Sequence, residues 1–171
     1  LLPEIFYKEK PNDGHEYIKV LGLVKMKRIY RYVRRDYVNE PENLLKWKVL
    51  LPKSNGSGAL GEVLSTPLIG QPLIGHTETF MSIGSFDTEQ EAQALLKYVK
   101  SKFARALLGI LKTTQDNPPE KWKFIPLQDF TANSDIDWSK SIPEIDQQLY
   151  AKYGLSQEEI DFIESHVKEM N

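Results

Sequence analysis

The chain has 171 residues, 40% of them hydrophobic and 27% charged, which is the composition of a globular protein with an ordinary core. The absence of cysteine excludes disulfides and thiolate zinc sites and fits a reducing cytoplasm. No apolar run approaches the roughly 18 residues that span a bilayer, and no signal-peptide pattern opens the chain. Because the chain begins at Leu1 without a methionine, we expect it to be a fragment of a longer polypeptide.

A formal net charge of −2 conceals two basic stretches and an acidic tail. Residues 19–53 carry ten Lys and Arg against three acids, and residues 97–123 carry seven against two. From residue 131 to residue 171 the balance reverses, with three Lys against nine acids. Such an asymmetry indicates a polyanionic partner, although it says nothing about the fold.

The N-terminal half is predicted to be rich in strands. Residues 17–24 and 27–38 are dense in Val, Ile and Tyr, and residues 46–51 alternate between basic and apolar side chains. A further strand is predicted at 77–83. The segment 68–75 is interrupted by Gly and Pro and is predicted to be a turn.

A loop rich in Gly and Ser is predicted at residues 52–62, with the sequence PKSNGSGALGE. It lacks the Gly-Lys-Ser/Thr ending of a phosphate-binding loop, so we expect no nucleotide site there. Two interpretations stay open. Its backbone amides could meet DNA phosphates, or it could be a plain hairpin loop.

The clearest element is a single long helix predicted at 88–112. Thr88 and Glu91 have the spacing of a capping box, and apolar residues then recur at 3.6-residue intervals along one stripe. Lys97 and Arg105 fall on the opposite face, so we expect this helix to have a basic back that faces solvent.

Two shorter helices are predicted near the C-terminus. Ser141 with Glu144 begins one that stops at Gly154. A second capping box, formed by Ser156 and Glu159, begins another that runs to about residue 170.

These elements predict an α+β fold. A twisted, mixed or antiparallel β-rich N-terminal half would pack on the long helix, and the two short helices would follow. We divide the chain into a domain at 1–130 and a helical appendage at 131–171, which would dock on that domain or on another domain of the parent chain. The aromatic connector at 122–139 is expected to pack across the core.

The tetrapeptide Asn117-Pro118-Pro119-Glu120 invites comparison with the Asn-Pro-Pro-aromatic tetrad that holds the flipped base in adenine-N6 DNA methyltransferases. Glu120 cannot stack on a base, and the segment before it is a polar helix end rather than a buried strand. Two prolines after a helix are a common stop signal. We interpret the motif as a helix stop and not as an active site.

No other motif in the sequence indicates catalysis or metal binding. The three His residues lie far apart without ligand spacing, and no nucleophile motif is present. Asp135 and Asp137 could suggest nuclease carboxylates, but no Glu-x-Lys follows in the usual arrangement, and Ser134-Asp135 is typical of a turn. We expect no metal and no cofactor in this chain.

Basic and aromatic side chains interleave at residues 25–37, which read KMKRIYRYVRRDY. In a strand, one face would carry Arg28, Tyr30, Tyr32 and Arg34. Such a face suits nucleic acid because cations meet phosphates while rings pack on sugars or bases. The alternative is a solvated edge strand whose cations prevent aggregation. The second basic stretch favours DNA.

Most of the chain, from about residue 17 to residue 170, resembles a known family. The resemblance is carried by the runs TETFMSIGSFDTEQEAQALLKYVKSKFARALLGILKTTQ, WKFIPLQDF and DIDWSKSIPEIDQQLYAKYGLSQEEIDFIES, and it is most specific between residues 122 and 164. These runs resemble the C-terminal region of Eco57I-type restriction-modification methylases. Those type II enzymes are adenine-N6 DNA methyltransferases, and some of them are fused to an endonuclease. The resemblance implies that this region is the target-recognition domain.

The same resemblance implies where catalysis would take place. A complete enzyme of this family would carry its S-adenosylmethionine loop and its Asn-Pro-Pro-aromatic tetrad upstream of Leu1. S-adenosylmethionine is therefore implied for the parent enzyme, and the fragment itself is expected to be non-catalytic. The implied partners are duplex DNA and the catalytic domain of the parent chain. The alternative is a protein-interaction or dimerisation module of the same enzyme without intrinsic DNA binding.

The residues expected to contact DNA are chosen by charge and exposure, because the family motifs do not determine them. The first set is Lys25, Lys27, Arg28, Arg31, Arg34 and Arg35. The second set is Lys53, Asn55 and Ser57 in the loop, with Thr77 and Thr79 beside it. The third set, expected to anchor the DNA backbone from the long helix, is Lys102 and Arg105.

Overall fold

A computed structural model describes the chain at residues 4–54, 60–61, 64–111 and 119–170. It confirms the predicted α+β class, with two small sheets in the N-terminal half followed by helices. The six strands are β1 (Tyr17–Val24), β2 (Lys27–Arg34), β3 (Trp47–Pro52), β4 (Leu68–Gly70), β5 (Ile74–His76) and β6 (Phe80–Phe86). The helices of the described residues are α1 (Glu89–Lys100), α2 (Lys102–Leu111), α3 (Pro119–Trp122), α4 (Ile142–Tyr153) and α5 (Gln157–His166).

The first sheet has the strand order β2-β1-β5. β1 and β2 form an antiparallel hairpin from the pair of Tyr17 with Arg34 to the pair of Val24 with Lys27, and β5 lies parallel to β1. The strand predicted at 27–38 is shorter than expected, because the chain turns into a 3-10 helix directly after β2.

The second sheet has the order β4-β3-β6, and both pairings are antiparallel. The prediction of a turn over 68–75 is therefore wrong at both ends of that segment, where β4 and β5 lie. Only residues 71–73 between them form the turn. Strands of three residues are too short to show a period in sequence, and each exists here by pairing with a longer neighbour. β6 begins later than the predicted 77–83 and extends to Phe86.

The predicted single helix at 88–112 is two helices. The capping box of Thr88 and Glu91 is present, but the chain leaves the helical conformation at Ser101, where ψ is 148°. The Oγ atom of Ser101 accepts a hydrogen bond from the backbone N–H of Ala104 at 3.1 Å and so caps a new helix, α2. The apolar stripe continues through the break, which is why periodicity alone did not show it.

The C-terminal helices begin where the sequence indicates. In each, the N-cap Ser amide donates to the Glu three residues later, at 3.0 Å for Ser141 and 2.8 Å for Ser156. Gly154 ends α4 in the left-handed conformation, as predicted. α5 ends at His166, earlier than expected, although Val167 and Met170 beyond it are still buried.

One hydrophobic cluster runs through the second sheet and the helices. It includes Val49 of β3, Leu95 of α1, Phe103 of α2, Ile136 of the connector and Leu149 of α4. The prediction that the connector packs across the core is confirmed. Residues on both sides of position 130 share this core, and the division of the chain at that position stays a prediction.

The first sheet has a separate small cluster, and a third cluster joins the two sheets. Ile18, Val20 and Val33 pack with Leu44 on one side of the hairpin. The third cluster consists of Leu21, Leu50 and Phe80. Among the described residues, no helix has the length and apolar character needed to cross a membrane.

Candidate nucleic-acid interface

The β1–β2 hairpin carries most of the first set of predicted contacts. The alternation of β2 places Arg28, Tyr30, Tyr32 and Arg34 on one face, as expected for a strand. Ile18, Val20, Leu21 and Val33 are buried in the hydrophobic clusters, whereas residues 23–27 at the other end of the hairpin are exposed. The turn residues Lys25 and Met26 lie at its tip.

The cations near the tip are the most accessible of the first set. Lys25 and Lys27 are exposed, and within the described part of the chain neither ammonium group has a hydrogen-bond or ion-pair partner. Arg28 is half-buried and is oriented by Nη1, which donates to the carbonyl oxygen of Thr66 at 2.6 Å. Its guanidinium lies 5.7 Å from the centre of the Phe80 ring.

Arg31 and Arg34 are less available for a phosphate. Nη1 of Arg31 donates to the carbonyl oxygen of Tyr30 at 2.9 Å. Arg34 forms a two-pronged ion pair with Asp36 and lies 4.7 Å from the centre of the Tyr37 ring. The hydrogen bonds from Arg34 lower the pKa of the Asp36 carboxyl, so this pair is ionised at neutral pH.

Arg35 lies outside β2, in the 3-10 helix, and is paired with two acids. Its guanidinium contacts Glu40 through two hydrogen bonds and Glu16 at 3.1 Å. The hydrogen bonds from Arg35 lower the pKa of Glu40. A DNA phosphate would have to compete with these carboxylates for Arg34 and Arg35.

The second set of predicted contacts lies beside the hairpin in space. The backbone N–H of Lys53 donates to the carbonyl oxygen of Thr79 at 3.0 Å, and Thr77 donates to Leu21 of β1 at 2.9 Å. Thr77 and Thr79 are joined through their hydroxyls at 2.8 Å. Asn55 and Ser57 lie outside the described residues, as does most of the loop that contains them.

Phe80 connects the two sets. Its ring lies beneath Arg28, and in β6 it pairs with Pro52, the residue before Lys53. The structure therefore brings Arg28, Pro52 and Phe80 together, although each is more than 20 positions from the others in sequence. We call this region the basic surface, defined by Lys25, Lys27, Arg28, Lys53, Thr77 and Thr79.

Two exposed residues near the basic surface were absent from the predicted contacts. Lys19 of β1 shares a face with Tyr32 and places its ammonium 5.6 Å from the centre of that ring. The alternation of β1 would have indicated it. Met26 is 88% exposed at the tip of the hairpin, and no sequence signal that we used singles out a methionine.

The third set of predicted contacts does not lie on an exposed helix back. Arg105 is 3% exposed, donates from Nε to the carbonyl oxygen of Lys100 at 2.9 Å and also bonds the carbonyl of Lys168. The prediction of an exposed Arg105 is wrong, because the break at Ser101 starts a new helix whose Arg105 faces the C-terminal segment. Lys102 is ion-paired with Glu164.

The segments with a possible catalytic interpretation have structural roles where they are described. Asp135 pairs with Lys152 at 2.8 Å, and Asp137 accepts hydrogen bonds from Ser139. Pro119 opens the short helix α3, whereas Asn117 and Pro118 lie outside the described residues. Among the described residues, no group of His, Asp and Glu side chains could hold a metal ion.

Comparison of the chain with protein-family models, with curated proteins and with solved structures gave no match. The resemblance to Eco57I-type methylases therefore depends on the quoted sequence runs.

Proposed function

We propose that this chain is the target-recognition domain of a restriction-modification adenine-N6 DNA methyltransferase and that it binds duplex DNA through the basic surface. The S-adenosylmethionine site and the catalytic residues would belong to another domain of the parent chain. Such an enzyme acts on DNA in the bacterial cytoplasm. The role of this chain would be to select the site and position the adenine.

The observation that supports the proposal is that the Arg28 guanidinium and the backbone of Lys53, which follows Pro52, both lie beside Phe80 and its neighbour Thr79. One cationic group comes from the first sheet and the other follows the second sheet. Cations with few internal partners are suited to replacing the counterions of DNA phosphates. Tyr30, which is 40% exposed on the same strand, offers a ring that can pack on a sugar or a base.

Fluorescence anisotropy with a duplex of mixed sequence at several salt concentrations tests the proposal. We expect affinity to fall steeply with salt, by about a factor of 10² between 50 and 200 mM for the four cations of the basic surface. A variant with Lys25→Ala, Lys27→Ala and Arg28→Ala should lower the slope of log affinity against log salt by about three.

A matched control removes the same charge elsewhere. Lys123, Lys140 and Lys168 are exposed and lie outside the basic surface. Changing all three to Ala should leave the salt slope close to that of the unaltered chain. If both triple variants lose the same affinity, net charge rather than the basic surface governs binding, and the proposed interface is wrong.

The alternative function, a protein-interaction or dimerisation module, also has an observation in its favour. An apolar groove lies between α2 and α5, and Ile110 and Phe162 on it are 71% and 46% exposed. Sedimentation velocity distinguishes the two functions. A concentration-dependent dimer that Phe162→Ala removes, together with no DNA binding at 50 mM salt, would favour the module.

A further inference from the structure

The turn at the tip of the β1–β2 hairpin has an unusual composition for its conformation. Val24 and Lys27 form the last pair of the ladder, so Lys25 and Met26 make a two-residue turn. Both have positive φ, 49° for Lys25 and 62° for Met26. Turns of this kind strongly favour Asn and Gly, because a side chain disfavours the left-handed conformation. Here two long side chains occupy positions that Asn-Gly would fill more favourably.

The side chain of Met26 is presented to solvent at the tip of the hairpin. It is 88% exposed, while Leu23 and Val24 behind it are 36% and 40% exposed. Arg28 ties the base of the tip to the carbonyl oxygen of Thr66 at 2.6 Å. An apolar side chain therefore projects beyond the sheet with Lys25 and Lys27 on either side of it.

We propose that Met26 is a wedge that enters the base stack of duplex DNA and separates two neighbouring base pairs. This proposal rests on the proposed function and names the way in which the basic surface engages its partner. Apolar side chains, methionine among them, can insert between base steps and unstack them. Lys25 and Lys27 would meet the phosphates that flank the opened step.

Two features favour duplex DNA over a lipid surface as the partner. Met26 is 88% exposed, against 36% and 40% for Leu23 and Val24, and a single fully presented apolar side chain fits the gap between two base pairs. Membrane association by this kind of tip requires a broader apolar face buried in the interface. The unbranched, polarizable side chain of Met also adapts to flat aromatic surfaces.

The test compares two 30-base-pair duplexes, one fully paired and one with a central T·T mismatch, in anisotropy titrations with the whole 171-residue chain. Separating base pairs at a mismatch is easier, so a wedge should make the chain prefer the mismatched duplex, on the order of tenfold. Met26→Ala should abolish this preference and leave the salt slope unchanged. Lys27→Ala should keep the preference and lower the salt slope by about one.

A second readout reports the base stack directly. A 2-aminopurine placed beside the mismatch becomes brighter when it is unstacked, and its fluorescence should rise on addition of the unaltered chain but not of Met26→Ala. Because Met26 is exposed, we expect the variant to fold, and circular dichroism checks this.

The outcomes separate this proposal from the proposed function. If the unaltered chain and Met26→Ala both bind DNA and have the same ratio of affinities for the mismatched and the paired duplex, Met26 is not a wedge. That result does not contradict the proposed recognition domain. No binding to either duplex overturns both. Met26-dependent binding to vesicles of phosphatidylcholine and phosphatidylserine, without DNA binding, also overturns both and assigns the tip to a membrane surface.

Discussion

The carboxylate of Asp146, on α4, accepts a hydrogen bond from the backbone N–H of Phe103, at the start of α2, at 2.9 Å. Its other oxygen accepts from the N–H of Lys102 at 3.0 Å. A side chain from a distant helix thus satisfies the amides that the first turn of α2 leaves unpaired. Asp146 is 1% exposed, so the break between α1 and α2 is fixed from inside the core.

Replacing Asp146 with Ala should therefore destabilise the protein. The variant leaves two buried amides without an acceptor, and we expect a loss of about 3 kcal/mol in the free energy of unfolding. Urea denaturation followed by circular dichroism measures it. Asp161→Ala on the exposed side of α5 is the control and should change stability by less than about 0.5 kcal/mol. Equal effects of the two substitutions would contradict this role for Asp146.

The carboxyl group of Asp146 also makes the free energy of unfolding depend on pH. Burial raises the pKa of Asp146 to about 6, against 3.8 for an exposed Asp. Between these values the folded state binds more protons than the unfolded state, so the stability from this group is complete below pH 3.8 and is lost as pH rises through 6. The lost contribution is on the order of 3 kcal/mol.

Comparison with Asp146→Asn measures that contribution. The free energy of unfolding of the unaltered protein minus that of the variant should fall from pH 4 to pH 7, on the order of 3 kcal/mol. The difference is needed because acids with lowered pKa values, such as Asp36 and Glu40, produce the opposite slope. A difference that rises with pH would show that the two amides stabilise the charged form more than burial disfavours it.

Lys48 is a buried cation, and its contribution to the free energy of unfolding changes with pH in the direction opposite to that of Asp146. Its side chain is 1% exposed, and its ammonium donates to the carbonyl oxygens of Asn43 at 2.8 Å and Lys46 at 3.0 Å. Burial lowers the pKa of Lys48 to about 8 from 10.5. Between these values the unfolded state binds more protons, so the free energy of unfolding rises with pH, by about 3 kcal/mol.

Chemical denaturation of the unaltered protein and of Lys48→Met between pH 7 and pH 10.5 measures this effect. The difference between them should be constant below about pH 8 and should grow in favour of Lys48 above it. Parallel curves over the whole range would mean that the carbonyl oxygens hold the proton on Lys48 and that burial does not lower its pKa.

The hairpin turn offers a change that strengthens the fold. Lys25→Asn with Met26→Gly supplies the residues that favour positive φ, and we expect a gain of about 1 kcal/mol in the free energy of unfolding. Lys25→Ala with Met26→Ala is the control and should give no such gain. The same Asn-Gly variant should bind DNA more weakly, since it lacks a cation and Met26. If the Asn-Gly variant gains stability and keeps its affinity for DNA, the side chains of the turn do not contribute to DNA binding.

Gly61 is required by a close approach of two backbones. A Cβ atom there would lie 2.0 Å from the carbonyl oxygen of His166, and φ is +76°. We expect Gly61→Ala to cost about 3 kcal/mol, because the clash adds to the strain of the left-handed conformation. At Gly154, φ is +64° and a Cβ meets nothing within 4 Å. Gly154→Ala, compared in thermal denaturation, should therefore cost only about 1 kcal/mol. Equal costs would contradict the clash.

Part of the candidate site could be predicted from sequence, and part could not. The hairpin strand β1 and the face of β2 follow from alternation and β-branched composition, which depend on adjacent residues. Arg34 pairs with Asp36, two residues along the chain, whereas Arg35 pairs with Glu40 and also with Glu16, on another segment of the chain. Charge counting could show that this stretch is basic, but it could not show which of its cations are already neutralised.

The helix boundaries also divide into those that the sequence predicts and one that it does not. The cause is the distance in sequence between the partners of the capping hydrogen bonds. Thr88 with Glu91, Ser141 with Glu144 and Ser156 with Glu159 are three residues apart, so the hydrogen bonds between them are determined by the sequence itself. α2 has a local cap, in which Ser101 accepts a hydrogen bond from the N–H of Ala104. It also has a second cap from Asp146, 43 residues beyond Phe103, which could form only once α4 had packed against α2. A local pattern specifies a hydrogen bond when both partners lie within one turn. The contact of Asp146 with α2, the burial of Arg105 against Lys168 and the approach of Arg28 to Phe80 join residues that only the folded path of the chain brings together.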